Sequence, residues 1–152
     1  MKINYIKEID DSKVYDVAEK TPISLLNKIS TKYNNTVFLK REDLQPIFSF
    51  KCRGAYNKIS SLSSEQISKG IIAASAGNHA QGVALSASKL NINALIVMPT
   101  TTPSIKIESV KKFGVEILLY GDSFDEAYEH ALKISKKDGR IFIHPFDDPL
   151  VI

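Results

Sequence analysis

From residue 70 onward the chain alternates between two hydrophobic patterns. Short, nearly unbroken apolar runs at 70–74, 94–98, 115–120 and 141–143 have the length and β-branched content of buried strands. Between them, apolar residues return three and four positions apart at Ala80, Val83, Ala84, Ala87 and Leu90 over 78–90, and Ile105, Ile107, Val110 and Phe113 are among the apolar positions of a helix over 103–113. That spacing gathers the apolar side chains on one face of a helix. A further helix is predicted over 123–137, because Ser123 with Glu126 three residues on makes a capping box, and Gly114 and Gly139 sit where helix C-caps belong.

The pattern upstream is less regular. Val14, Val17 and Ala18 predict a short helix over 12–20 with Ser12 as its N-cap, broken at Thr21-Pro22 because proline pushes its predecessor out of the α region. Residues 23–26 resume as a short element, Asn34-Asn35 reads as a turn, and 36–40 is a β-branched and aromatic strand. Ala55, Tyr56, Ile59 and Leu62 give a helix over 53–62. Strands separated by helices imply βαβ crossovers, and therefore an α/β fold with an open, mainly parallel sheet and helices on both faces in a three-layer αβα order.

Composition narrows the function classes. The 152 residues suffice for one ordinary core, and the net charge of +3 is spread along predicted helix faces, which argues against a nucleic-acid or membrane-binding surface. No stretch approaches the ~20 apolar residues of a membrane span, and the N-terminus has no signal-like apolar run, so the cytoplasm is the expected compartment. The single cysteine, Cys52, excludes an internal disulfide and cannot build a metal site alone; it is expected as a small buried hydrophobe rather than a reactive thiol.

Two stretches carry candidate chemistry. Lys51 follows Phe48 and Phe50 at the entrance of the predicted 53–62 helix, with Arg53 close by in sequence. A lysine amine attacks a carbonyl or takes a proton only when neutral, and apolar neighbours or a nearby cation favour that form. The second stretch, Ser75-Ala76-Gly77-Asn78-His79-Ala80-Gln81-Gly82, follows a strand and opens a helix, with Asn78 as the candidate N-cap. In parallel sheets ligands bind beyond the carboxyl ends of strands, and a helix start aims unpaired N–H groups at an anion such as a carboxylate or phosphate. A free-standing nucleotide-binding module is the weaker alternative, since the Gly-x-Gly-x-x-Gly pattern is absent.

Ser49-Phe50-Lys51-Cys52-Arg53-Gly54-Ala55 followed by the Ser75–Gly82 loop resembles the pyridoxal-phosphate enzymes of the tryptophan-synthase β fold, fold type II, and within them the threonine ammonia-lyases, also called threonine dehydratases or deaminases. Thr21-Pro22, the 40–46 stretch, Phe113-Gly114-Val115-Glu116 and His144-Pro145-Phe146-Asp147-Asp148-Pro149 extend the likeness over nearly the whole chain. The resemblance implies pyridoxal 5'-phosphate as cofactor, bonded to Lys51, with Phe50 packing near its ring and Asn78 bonding the ring's phenolic oxygen. It implies that Ser75, Ala76, Gly77, Asn78 and His79 hold the substrate carboxylate, and that Lys51 moves the α-proton. The substrate implied is L-threonine, with L-serine as an alternative, converted to a 2-oxo acid and ammonia. Ala76 stands where the racemase branch of the group has a serine base, which disfavours racemisation.

By the same resemblance, residues 51–152 correspond to the family's small α/β domain and 1–50 to the first segment of its large domain. The phosphate-cradling loop and the residue that bonds the ring nitrogen would lie beyond Ile152. This chain is therefore expected to be an N-terminal part, inactive alone, with an apolar partner surface, a weakly anchored N-terminal segment and a homo-oligomeric complete form.

Overall fold

Residues 5–152 are described in a computed structural model. Helix α1 (Tyr5–Asp11) leads to a single 3-10 turn at Val14–Asp16, strand β1 (Ile23–Leu25), helix α2 (Asn27–Lys32), strand β2 (Phe38–Lys40) and a second 3-10 turn at Glu42–Leu44. Then come α3 (Lys51–Ser60), α4 (Ser64–Ser68), β3 (Ile71–Ala74), α5 (Asn78–Leu90), β4 (Ala94–Met98), α6 (Ser104–Lys111), β5 (Glu116–Leu119), α7 (Phe124–Asp138) and β6 (Ile141–Phe142).

Strands β3 to β6 pair only in parallel, in the order β5-β4-β3-β6. Alternate side chains of β3 supply two cores, as the two-residue period of a strand requires. Ile71 and Ala73 face a cluster with Ala55, Ile59, Val83 and Val110 from α3, α5 and α6, whereas Ile72 and Ala74 face Ala127 and Ala131 of α7. Helices thus cover both faces, and the expected αβα layering holds. The Ser123–Glu126 capping box is present, and Gly139 closes α7 in the left-handed region at φ 73°, where a Cβ would be penalised.

The N-terminal reading needs correction. The segment 12–20 is not a helix: the helical turns lie earlier, over Tyr5–Asp11, and the Ser12 hydroxyl donates to the Ile9 carbonyl, so it closes α1 instead of capping a new helix. Helix α4 was not legible from apolar spacing, since a Ser63–Gln66 capping box nucleates it with no buried residue. Ile105 is 77% exposed, because α6 packs through Ile107 and Val110 and Ile105 falls off that stripe.

Polar side chains anchor part of the first fifty residues. Gln45 is buried, accepts the Glu19 N–H at 2.9 Å, and donates to the Glu19 carbonyl at 3.0 Å and to Glu42 at 3.1 Å. Glu42 accepts from Thr21 at 2.6 Å and pairs with Arg53 at 2.8 Å, and Tyr56 donates to Asp16 at 2.8 Å. The weakly anchored N-terminal segment expected from sequence is thus tied down at residues 16–21 and 42–45. The β1–β2 ribbon, antiparallel with Ile23 opposite Lys40 and Leu25 opposite Phe38, keeps its apolar side chains exposed.

Candidate active site

Lys51 is the first residue of α3, two residues earlier than the apolar spacing predicts. The chain reaches it through Phe48, whose φ of 57° is rare for a bulky residue and turns the backbone sharply into the helix. Behind Lys51, α3 packs against α5 at Gly82: a Cβ there would stand 2.8 Å from the Lys51 carbonyl oxygen. The small residue at position 82 therefore seats the Lys51 backbone and does not face a ligand.

The Lys51 amine donates to the Pro145 carbonyl at 2.6 Å and lies 5.5 Å from the centre of the Phe50 ring. It stands in a cleft of about 430 Å³ walled by Phe50, Gly54, Pro145, Phe146, Val151 and Ile152. Phe48 is 75% exposed and turned away from any apolar enclosure. Arg53, near in sequence, is bound to Glu42 and to the Glu19 carbonyl, and its guanidinium lies 5.4 Å from the Tyr15 ring. The Arg53 hydrogen bonds and charge hold the Glu42 carboxyl down at about 2, so this cation is neutralised by its own partner. Cys52 is fully buried beside Ile47 and Ala18, and burial pushes its thiol up, in keeping with a packing role.

The Ser75–His79 loop leaves the carboxyl end of β3. The Ser75 N–H still pairs with the Val97 carbonyl at 3.1 Å, and its hydroxyl accepts the Gly77 N–H at 3.2 Å, which sets the turn. Gly77, not Asn78, occupies the N-cap position of α5; Asn78 is the first helical residue and is exposed. A Cβ at Gly77 would meet nothing within 4 Å, so space is open in front of the helix start, where the first N–H groups have no partner within the helix. His79 is 4% exposed, and its Nε2 lies 3.0 Å from the Ile143 carbonyl. Burial above all pushes its pKa down to about 4, the bond to Ile143 opposes that, and the charges of Lys51 and His144 add to it. The segment of Ile143 and Pro145, whose carbonyls meet His79 and Lys51, links the two stretches picked out in the sequence.

The donor set fits a cofactor that carries an aldehyde and an anion. It offers a primary amine in an open cleft, an aromatic wall beside it, and a helix start facing free space. Comparison with known proteins shows which group of enzymes the chain belongs to. The family model described as "Pyridoxal-phosphate dependent enzyme" matches residues 14–152. The chain belongs to this family.

Among curated relatives, biosynthetic chloroplastic threonine dehydratase 2 of Solanum lycopersicum is 56% identical over 148 residues, covering 97% of this chain and 25% of the relative. The biosynthetic L-threonine dehydratase of Pasteurella multocida is likewise 56% identical over 148 residues, covering 97% of this chain and 29% of its own length. The solved structure of processed threonine deaminase isoform 2 from Solanum lycopersicum superposes with a TM-score of 0.92 at 56% identity, over 97% of this chain and 43% of that one. Maize serine racemase follows with a TM-score of 0.89 at 32% identity, over 96% and 45%. The chain thus spans between a quarter and a third of the length of these curated relatives, and under half of each of these solved chains.

The Pro145 carbonyl, the contact of the His79 ring with Ile143 and the packing role of Gly82 were missed from sequence. The first is a backbone atom with no side-chain signature, and the other two act through contacts 64 and 31 residues away in the chain. The only available signal was that His144-Pro145 falls in a stretch of family likeness.

Proposed function

We propose that this chain is the N-terminal part of a pyridoxal-phosphate-dependent threonine ammonia-lyase, which releases 2-oxobutanoate and ammonia from L-threonine, with L-serine as the alternative substrate. The observation that carries the reading is the Lys51 amine, with no carboxylate partner among the described residues, in a cleft whose aromatic wall is Phe50 and whose Pro145 edge belongs to the segment that also meets His79. Bound there, pyridoxal phosphate supplies an electron sink that makes the substrate α-proton labile. Lys51 would hold that cofactor and then act as the base, leaving the Pro145 carbonyl to reach the proton. The N–H groups at the start of α5, in the loop of Ser75, Ala76, Gly77, Asn78 and His79, would bind the substrate carboxylate, an anion favoured at a helix N-terminus. Ser75 orders that turn, Asn78 is exposed where it could meet the cofactor ring, and the Ala76 methyl cannot exchange a proton, which supports elimination over racemisation.

Residues 51–152 are proposed as the small domain, and 1–50 as the first segment of a larger domain. The biosynthetic relatives support a place in isoleucine synthesis, and the complete protein is proposed to be a cytoplasmic homo-oligomer. A second reading, that a chain of this length is non-catalytic by itself, is favoured by the share of the relatives it spans and by the exposed apolar residues of its first fifty positions. The test is reductive trapping of pyridoxal phosphate on the chain with peptide mapping, together with a threonine-dependent ammonia assay, each done with and without the downstream portion of a relative. Label at Lys51, abolished in Lys51→Ala, is expected, with ammonia release only when the downstream portion is present. Label spread evenly over the lysines would sink the proposal, and turnover by the chain alone would remove the second reading.

A further inference from the structure

Two side chains reach the same short segment after β6 from neighbouring helices. Lys51 of α3 donates to the Pro145 carbonyl at 2.6 Å, and His79 of α5 meets the Ile143 carbonyl at 3.0 Å. A carbonyl can only accept, so the His79 Nε2 carries the proton and Nδ1 is a bare lone pair. Among the described residues that buried Nδ1 has no hydrogen-bond partner, an arrangement costing free energy that simple core filling by an apolar side chain would avoid.

The rest of the segment is equally constrained. The Ile143 N–H is bound to the Ile72 carbonyl of β3 at 2.9 Å. The His144 Nδ1 accepts the Asp147 N–H at 2.8 Å and the Phe146 N–H at 3.3 Å, folding the chain back just beyond Pro145. Pro145 is buried and its ring fixes φ, while the Phe146 N–H, which shares a peptide plane with the Pro145 carbonyl, is held on His144 Nδ1 and so fixes ψ; the direction of the carbonyl therefore follows from where Ile143 and His144 are held.

We propose that His79 is a positioning residue for Lys51: by donating Nε2–H to Ile143 it fixes the Pro145 carbonyl, two residues on, at the point where the Lys51 amine waits between proton transfers. Loss of the His79 donor lets the segment drift from α5, and the amine loses its acceptor. The catalytic meaning of this tie rests on the proposed function; the hydrogen-bonded arrangement itself does not.

The test reads the amine directly, with no cofactor. The 152-residue chain is acylated with a trace of acetic anhydride, and the labelling of Lys51 is measured against the exposed Lys106 by peptide mapping. A hydrogen bond of ordinary net strength shields the amine about fivefold. His79→Leu is expected to raise the Lys51/Lys106 ratio by about that factor, while His79→Gln, which keeps an N–H donor of similar reach, restores the native ratio. Equal ratios in native and Leu proteins, or a Gln protein as reactive as the Leu protein, overturn the proposal. Should His79→Leu fail to fold by circular dichroism, His79→Asn replaces it: its donor is too short to reach Ile143, so an unchanged ratio overturns the idea and a raised one supports it. Trapping of pyridoxal phosphate on the same proteins separates the two claims. Absence of label at Lys51 in the native chain defeats the proposed function and leaves the acylation ratios to decide the positioning role; label at Lys51 with unchanged ratios defeats the positioning role alone.

Discussion

Gln45 is 1% exposed, and both ends of its amide are engaged, with its oxygen on the Glu19 N–H and its nitrogen on the Glu19 carbonyl and Glu42. Gln45→Leu keeps much of the volume but strands those partners, and is expected to cost about 2 kcal/mol in chemical denaturation. Two residues with large downward shifts contribute to the acid limb of stability. His79 has a folded pKa of about 4 against an ordinary 6.5, so the unfolded chain binds the proton first, and stability held above pH 6.5 is lost as pH falls toward 4. Glu42, held near 2 against 4.5 chiefly by Arg53, adds stability above pH 4.5 that is lost as pH falls toward 2. Denaturation midpoints measured from pH 7 to pH 3 are expected to fall in both windows, and His79→Gln is expected to flatten only the upper one.

At the scale of elements, the contact of α3 with α5 sets the site. Gly82→Ala would bring a Cβ to 2.8 Å from the Lys51 carbonyl oxygen, backbone that cannot rotate aside. The expected outcome is a loss of about 1–3 kcal/mol in thermal or chemical denaturation, accompanied by a fall in cofactor trapping at Lys51, because the first turn of α3 must move. Periodicity made α3 and α5 legible, since each buries a continuous stripe, Ala55 and Ile59 in one and Val83 and Ala87 in the other, as the capping box did α7. It failed over 12–20, where Val14 and Ala18 are spaced for a helix but only Ala18 is buried, and the chain makes one 3-10 turn. Three apolar residues at the right interval do not make a helix when no facing surface covers them.

For the whole molecule, the informative asymmetry is between the wrapped sheet and the first fifty residues. The β1–β2 ribbon leaves Ile23, Leu25, Phe38 and Leu39 exposed, Phe38 at 60% and Ile23 at 67%, and an isolated two-stranded ribbon is marginal in water. Apolar surface of this kind drives association. Sedimentation is expected to show concentration-dependent self-association that the double substitution Ile23→Glu with Phe38→Lys suppresses without lowering the denaturation midpoint; association unchanged by that pair would locate the sticky surface elsewhere.

Local patterning by itself determined the parallel α/β order, the capping of α7, the burial of Cys52 and the two stretches where chemistry was expected, because each of these depends on residues close together in the chain. Likeness of motif then supplied the family. Only the tertiary structure decided what surrounds the Lys51 amine. Its acceptor is a backbone carbonyl 94 residues on, the Arg53 charge beside it in sequence is taken by Glu42, and the histidine coupled to it is held by Ile143. The Ile143 and Pro145 carbonyls meet His79 and Lys51 only when β6 closes against β3, and no local pattern encodes which carbonyl will then face which amine.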